Sequence, residues 1–103
     1  MKLSVLERLL VQGLLPEKGS FTNLKLVRVA REALSFTEAE NKALDFKQEG
    51  EQLRWTEGTV AEKDINIGEI AKEMIKKKLK ELNDKEDLEP QQFTLYEKFV
   101  LGE

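Results

Sequence analysis

Apolar residues recur along this chain in short, separately punctuated stretches. Ser4 followed by Glu7 fits the S-x-x-E capping box, in which the serine oxygen accepts from an orphan amide and the glutamate accepts from the cap's own N–H. A helix is therefore predicted to start there, with Leu6, Leu9 and Leu10 on one face and Gly13 as a left-handed C-terminal cap before Leu14, Leu15 and Pro16. PEKGS at 16–20 reads as a loop, rich in residues that fix or free the backbone. A second helix fits 22–34, with Thr22 as cap, Leu24, Val27, Ala30, Ala33 and Leu34 as the inward stripe, and Arg28, Arg31 and Glu32 on the wetter side. Thr37 and Glu40 form a second capping box, which opens a short acidic helix ending near Leu44.

The segment LDFKQEGEQLRW predicts a hairpin. A two-residue turn at Glu49 and Gly50 sets Phe46 opposite Leu53 and Leu44 opposite Trp55, with all four on one sheet face. Glu is poor at positive φ, so a longer loop with Gly50 left-handed is the alternative. Residues 56–63 read as a surface connection, and Asp64 to Ile67 as a candidate short strand through Ile65 and Ile67. From Gly68 to about Asn83, Ile70, Ala71, Met74, Ile75, Leu79 and Leu82 recur at three and four, which predicts an amphipathic helix. Glu73 and Lys77 are placed as an i to i+4 pair on its wet face, worth about 0.3 kcal/mol. The last helix is expected to begin at Pro90, with Leu88 and Phe93 as a hydrophobic staple and Phe93, Tyr96, Phe99 and Val100 facing inward. Three N-terminal helices, a β-hairpin and two C-terminal helices define a helix-dominated α+β class.

Composition narrows the chemistry. The 103 residues are 40% apolar and 36% charged, a balance that suits one folded domain over residues 1–103 and not a disordered chain. With no cysteine and no histidine, thiolate zinc sites, disulfides, cysteine nucleophiles and imidazole bases are excluded. Glu7 and Arg8 interrupt the first apolar stretch, so no signal peptide is expected, and no apolar run reaches membrane-spanning length. A cytoplasmic protein without a membrane partner is the expectation. The net charge of −3 is locally balanced: eight Lys and Arg against seven acids in residues 1–50, nine against thirteen in the remainder.

Several groups invite a functional reading. Lys76, Lys77, Lys78 and Lys80 resemble a nucleic-acid or acidic-membrane patch, but cations at a helix C-terminus complement the macrodipole, and Asp84, Glu86, Asp87 and Glu89 lie close enough beyond them to neutralise the patch. Lys78 projects inside the apolar arc, between Ala71 and Met74, with its stem expected on the core edge and its ammonium in water. The acidic stretch ending in Glu89 lacks the spacing and glycine of a calcium loop. Glu38 and Glu40 are explained by helix-cap electrostatics, and Ser4, Ser20 and Ser35 have no histidine to activate them. No catalytic, cofactor-binding or metal-binding residue is predicted, and no cofactor. Trp55, Phe93, Tyr96 and Phe99 have core-like spacing, yet a last helix that swung free would make the aromatics a dimerisation or partner-binding face.

LERLLVQGLLPEKG, then LKLVR, the box SFTEAE, QEG with Trp55 and the ending LYEKF together resemble a pattern found in small uncharacterised proteins of bacterial prophages. The resemblance spans most of the chain and implies a bacterial or phage cytoplasmic setting, with no binding or catalytic residue to carry over. Two functions fit these readings. The first is a non-enzymatic protein-interaction or assembly module, acting on a protein partner or as a homodimer. The second is a winged-helix-like nucleic-acid-binding or regulatory protein, because three helices followed by a hairpin reproduce that order. Nucleic acid is disfavoured, since Glu38 and Glu40 on the reading helix and Glu49 and Glu51 on the wing would meet phosphates.

Overall fold

The computed structural model describes residues 1–102. In chain order the elements are β1 (Lys2–Leu3), α1 (Val5–Leu14), α2 (Phe21–Leu34), α3 (Glu38–Leu44), β2 (Lys47–Glu49), β3 (Gln52–Arg54), β4 (Lys63–Asp64) and α4 (Glu69–Asp84). A helical segment closes the chain: a 3₁₀ turn at Pro90–Gln92, α5 (Phe93–Tyr96) and π-helical Glu97–Leu101. The class is α+β and helix-dominated, as the patterning predicts.

Both capping boxes form. Ser4 Oγ accepts from the Glu7 N–H at 3.2 Å while Glu7 accepts from the Ser4 N–H at 2.9 Å, and Thr37 and Glu40 repeat the exchange at 3.1 and 2.9 Å. The cap of α2 is Ser20, which accepts from the Asn23 N–H at 3.1 Å, and not Thr22. Gly13 lies inside α1 and has no positive φ. The helix stops at extended Leu15, where Pro16 disfavours a helical conformation for the residue before it.

α1, α2, α4 and the closing segment enclose one core. α2 contributes Val27, Ala30 and Leu34, α4 contributes Ala71, Ile75 and Leu79, and the closing segment Leu95 and Phe99. Of the predicted stripes, those of α2 and α4 hold in their centres, while Leu24 and Ile70 at the ends are exposed and Ala33, Met74 and Leu82 are half-buried. α1 has a different phase. It buries Val11, Leu14 and the charged pair Glu7 and Arg8, leaving Leu6 exposed and Leu9 and Leu10 half-buried. In the closing segment Leu95, not Phe93, is inside: Phe93 is 62% exposed, so it makes no staple with Leu88.

Among the described residues there are two small antiparallel sheets. β1 pairs with β4, Lys2 opposite Asp64 and Leu3 opposite Lys63, and seats the buried Ile65 and Ile67 just beyond the pairing. The strand thus falls two residues before the predicted centre of 64–67, because its partner β1 is too short to reveal itself by alternation. In the hairpin, Glu49 faces Gln52 and Gln48 faces Leu53, so the turn is Gly50–Glu51 instead of Glu49–Gly50. Gly50 has φ 63° and Glu51 is not left-handed, the II′ pattern that takes glycine first. The correction sets Phe46 level with Trp55, their rings edge-to-face at 6.2 Å, and Phe36 meets Phe46 at 5.3 Å.

α4 ends in a Schellman motif. The Asp87 N–H donates to Leu82 O at 2.8 Å and the Glu86 N–H to Asn83 O at 3.0 Å, with Glu86 left-handed at φ 58°. Its ion pairs are Lys72–Glu69 and Lys85–Glu81 in place of the predicted Glu73–Lys77.

Candidate interaction surface

Two charged clusters are built into the interior, and both tie elements together. Arg8, 1% exposed, donates to Leu34 O at 3.3 Å and Ser35 O at 2.6 Å, which are carbonyls left open at the end of α2. It also holds Glu40 at 2.7 and 3.2 Å and lies 4.0 Å over the Phe36 ring. Arg31 of α2 returns the arrangement, donating to Gln12 O at 3.0 Å and Leu15 O at 3.4 Å at the end of α1. Arg31 is thus half-buried and bonded, not on the wet side.

The Arg8 guanidinium, outweighing burial, drives the Glu40 carboxyl down to about 2. In the second cluster Lys98 donates to Glu7 at 2.7 Å, Glu62 at 3.2 Å and Lys2 O at 2.9 Å, closing the last segment onto α1 and β1. Burial pushes Glu7 up, but hydrogen bonds from Lys98 and the Ser4 N–H, both to Oε1, hold it below the usual carboxylate range. Burial likewise opposes the charge on Lys98, and Glu7 and Glu62 raise it nonetheless. Glu7 and Glu40 are ionised and Lys98 protonated near neutral pH, so none is tuned for proton transfer there.

The serines act as caps: Ser4 and Ser20 begin helices, and Ser35 Oγ donates to Glu32 O at 2.6 Å beyond α2. Among the described residues no three acidic side chains converge as a metal site, and no helix is long and apolar enough to cross a membrane. Of the aromatics, Phe99 is core, Tyr96 packs half-buried against it, Trp55 is half-buried on the hairpin and Phe93 is exposed.

The outer surface carries the feature that linear reading missed. Three adjoining open grooves run over one side. An open depression of about 830 Å³ lies along the outer face of α4, lined by residues 70–85 alone, with Ile70 and Met74 among Lys76, Lys77, Lys80 and Lys85 and the acids Glu73, Glu81 and Asp84. It shares Met74, Lys77 and Glu81 with one of about 560 Å³ against Leu14, Leu15, Pro16 and Lys18. That groove in turn shares Pro16 and Glu17 with one of about 590 Å³ under Phe21, Leu24, Lys25 and Arg28. Phe21, 84% exposed, and Ile70, 52% exposed, are large apolar groups left in water. Lys78 is exposed beside Met74 in the middle groove.

Folding therefore changes the charge picture. The lysines of α4 precede a run of acids in sequence, but in space they continue into Lys18, Lys25 and Arg28 from two other elements. Among the described residues, nine cations and four carboxylates line these grooves, in a chain with seventeen Lys and Arg and twenty Asp and Glu. A near-neutral molecule thus has one cationic, partly apolar side. The signal available in sequence was the spacing of Lys25 and Arg28 on α2. Sequence spacing does not reveal that the 13–18 connection lies between that helix's start and α4. No protein-family model, curated protein or solved structure matches the chain.

Proposed function

We propose that the protein is a non-enzymatic protein-interaction module and that the α2–α4 side is its contact surface, working in the bacterial or phage cytoplasm that the sequence resemblance implies. The observation that carries this reading is the continuity of the three grooves, with Phe21, Leu24, Ile70 and Met74 interleaved among cations. Apolar side chains of this size held in water are stabilised when a partner covers them, at about 25 cal/mol per Å². The buried charge clusters are committed to clasping the fold, so they offer no competing site.

The winged-helix-like reading has the order α1–α2–α3 and the β2–β3 hairpin in its favour. Its would-be reading helix α3 is seven residues long and starts with Glu38 and Glu40, the latter engaged by Arg8.

The two readings separate by sedimentation of the tagged chain in extract of a producing bacterium, with and without nuclease. We expect migration above its own 11.9 kDa, insensitive to nuclease and lost in a Phe21→Ser, Ile70→Ser double variant. Both positions are exposed, so the variant keeps its fold, which circular dichroism verifies. A nuclease-sensitive shift, or identical migration of both proteins, contradicts the reading.

A further inference from the structure

We infer that the occupant of the α2–α4 side is an acidic amphipathic helix of a partner protein, an inference that rests on the interaction-module reading. The stretch of α4 that lines the depression, from Ile70 to Asp84, spans about 21 Å at 1.5 Å per residue, the length of a four-turn helix. On the α4 floor Ile70 and Met74 stand among Lys76, Lys77, Lys80 and Lys85 and the acids Glu73, Glu81 and Asp84, and the excess of positive charge comes from the loop and α2, which add Lys18, Lys25 and Arg28 beside apolar Leu15 and Phe21. A helix with leucine or phenylalanine at i, i+3, i+4 and i+7 would seat its stripe on that floor and bring flanking carboxylates to the ammonium and guanidinium groups.

Charge selects the sign of the partner, and the apolar floor selects its class. A duplex carries one phosphate per about 1.7 Å of axis, so it cannot avoid Glu17, Glu73, Glu81 and Asp84, and it gains nothing from Phe21 or Ile70. A peptide can leave neutral residues opposite those four acids. A second copy of the chain offers no acidic amphipathic helix: α4 and α2 are the cationic helices themselves, α1 is mostly buried, α3 has seven residues, and the closing segment exposes Phe93 and Leu101 but sets one acid, Glu97, against Lys98.

The test is fluorescence anisotropy with three probes titrated by the full chain. These are a labelled 18-residue Leu/Glu amphipathic helical peptide, its scramble of identical composition, and a duplex DNA of 20 base pairs. The patterned peptide is expected to bind about tenfold or more tighter than the scramble. A Lys77→Glu, Arg28→Glu variant, checked for fold by circular dichroism, should lose a further factor of about ten or more, as should Phe21→Ser. Equal binding of the scramble, tighter binding of the duplex, or no binding of the patterned peptide overturns the inference. If sedimentation still shows a Phe21- and Ile70-dependent complex, the module reading survives and only the acidic-helix occupant is lost.

Discussion

Arg8 shows how one residue can set the phase of a helix. A leucine-based reading of α1 points Leu6, Leu9 and Leu10 inward, yet the chain turns the helix so that Arg8 reaches Leu34 O, Ser35 O and Glu40. Nothing local betrays this, because the partners lie more than twenty residues away and burial of a charge is favourable only once they are in place. Arg8→Met should cost about 3–5 kcal/mol in urea unfolding, since it leaves the Glu40 carboxylate only the Thr37 N–H and Lys63 at 3.8 Å and reopens the carbonyls at the end of α2. The same pair sets the acid response. Glu40 falls from 4.5 unfolded to about 2 folded, so its contribution is complete above pH 5 and is lost as pH drops through 4.5 towards 2. At most about 3 kcal/mol is at stake. Urea midpoints measured at pH 7, 4 and 2.5 should fall in that order, and an Arg8→Met protein should show a flatter decline.

At the scale of elements, starts were more legible than ends. Capping boxes at Ser4–Glu7 and Thr37–Glu40 are read from four adjacent residues because their hydrogen bonds are local. Ends depend on the residues beyond the helix: α1 runs through Gly13 to Leu14 and stops ahead of Pro16, and α4 closes on left-handed Glu86, which has none of glycine's freedom. Two substitutions of opposite chemistry should therefore both stabilise. Gly13→Ala, helical with no heavy atom within 4 Å of the added Cβ, should gain about 0.5–1 kcal/mol. Glu86→Gly should gain about 1 kcal/mol by relieving a left-handed residue. Thermal unfolding of each variant checks both, and a loss of stability in Glu86→Gly would mean that its side chain matters more than its φ. The hairpin was legible as an element, and its apolar residues Phe46, Leu53 and Trp55 stay on one face. Its register was not, because moving the turn by one residue alters every pair, and the choice rests on where Gly50 relieves strain.

Across the whole molecule the core closes only when the last segment docks, and the surface it leaves open is the cationic side. Leu95 is fully buried and Phe93 is not, so Leu95→Ala should cost about 2–5 kcal/mol and Phe93→Ala less than about 0.5 kcal/mol, measured by chemical denaturation. Reversal of that order would mean that the segment packs by its aromatic stripe. The helix-dominated class was legible because it arises from periodicity within each helix, whereas the two-residue β1 left no alternation to read. The candidate surface was not, because it is assembled from α4, the 13–18 connection and α2, and local acid–base alternation conceals a difference of charge between sides. The most direct measurement is photo-crosslinking in the producing cell, with a benzophenone amino acid placed singly at Phe21, Ile70, Glu38 or Leu53. Nuclease-resistant protein adducts at Phe21 and Ile70, with none at Glu38 and Leu53, are the predicted result. Adducts confined to the α3 and hairpin positions, or adducts with nucleic acid, would contradict the assignment of the α2–α4 side as the contact surface.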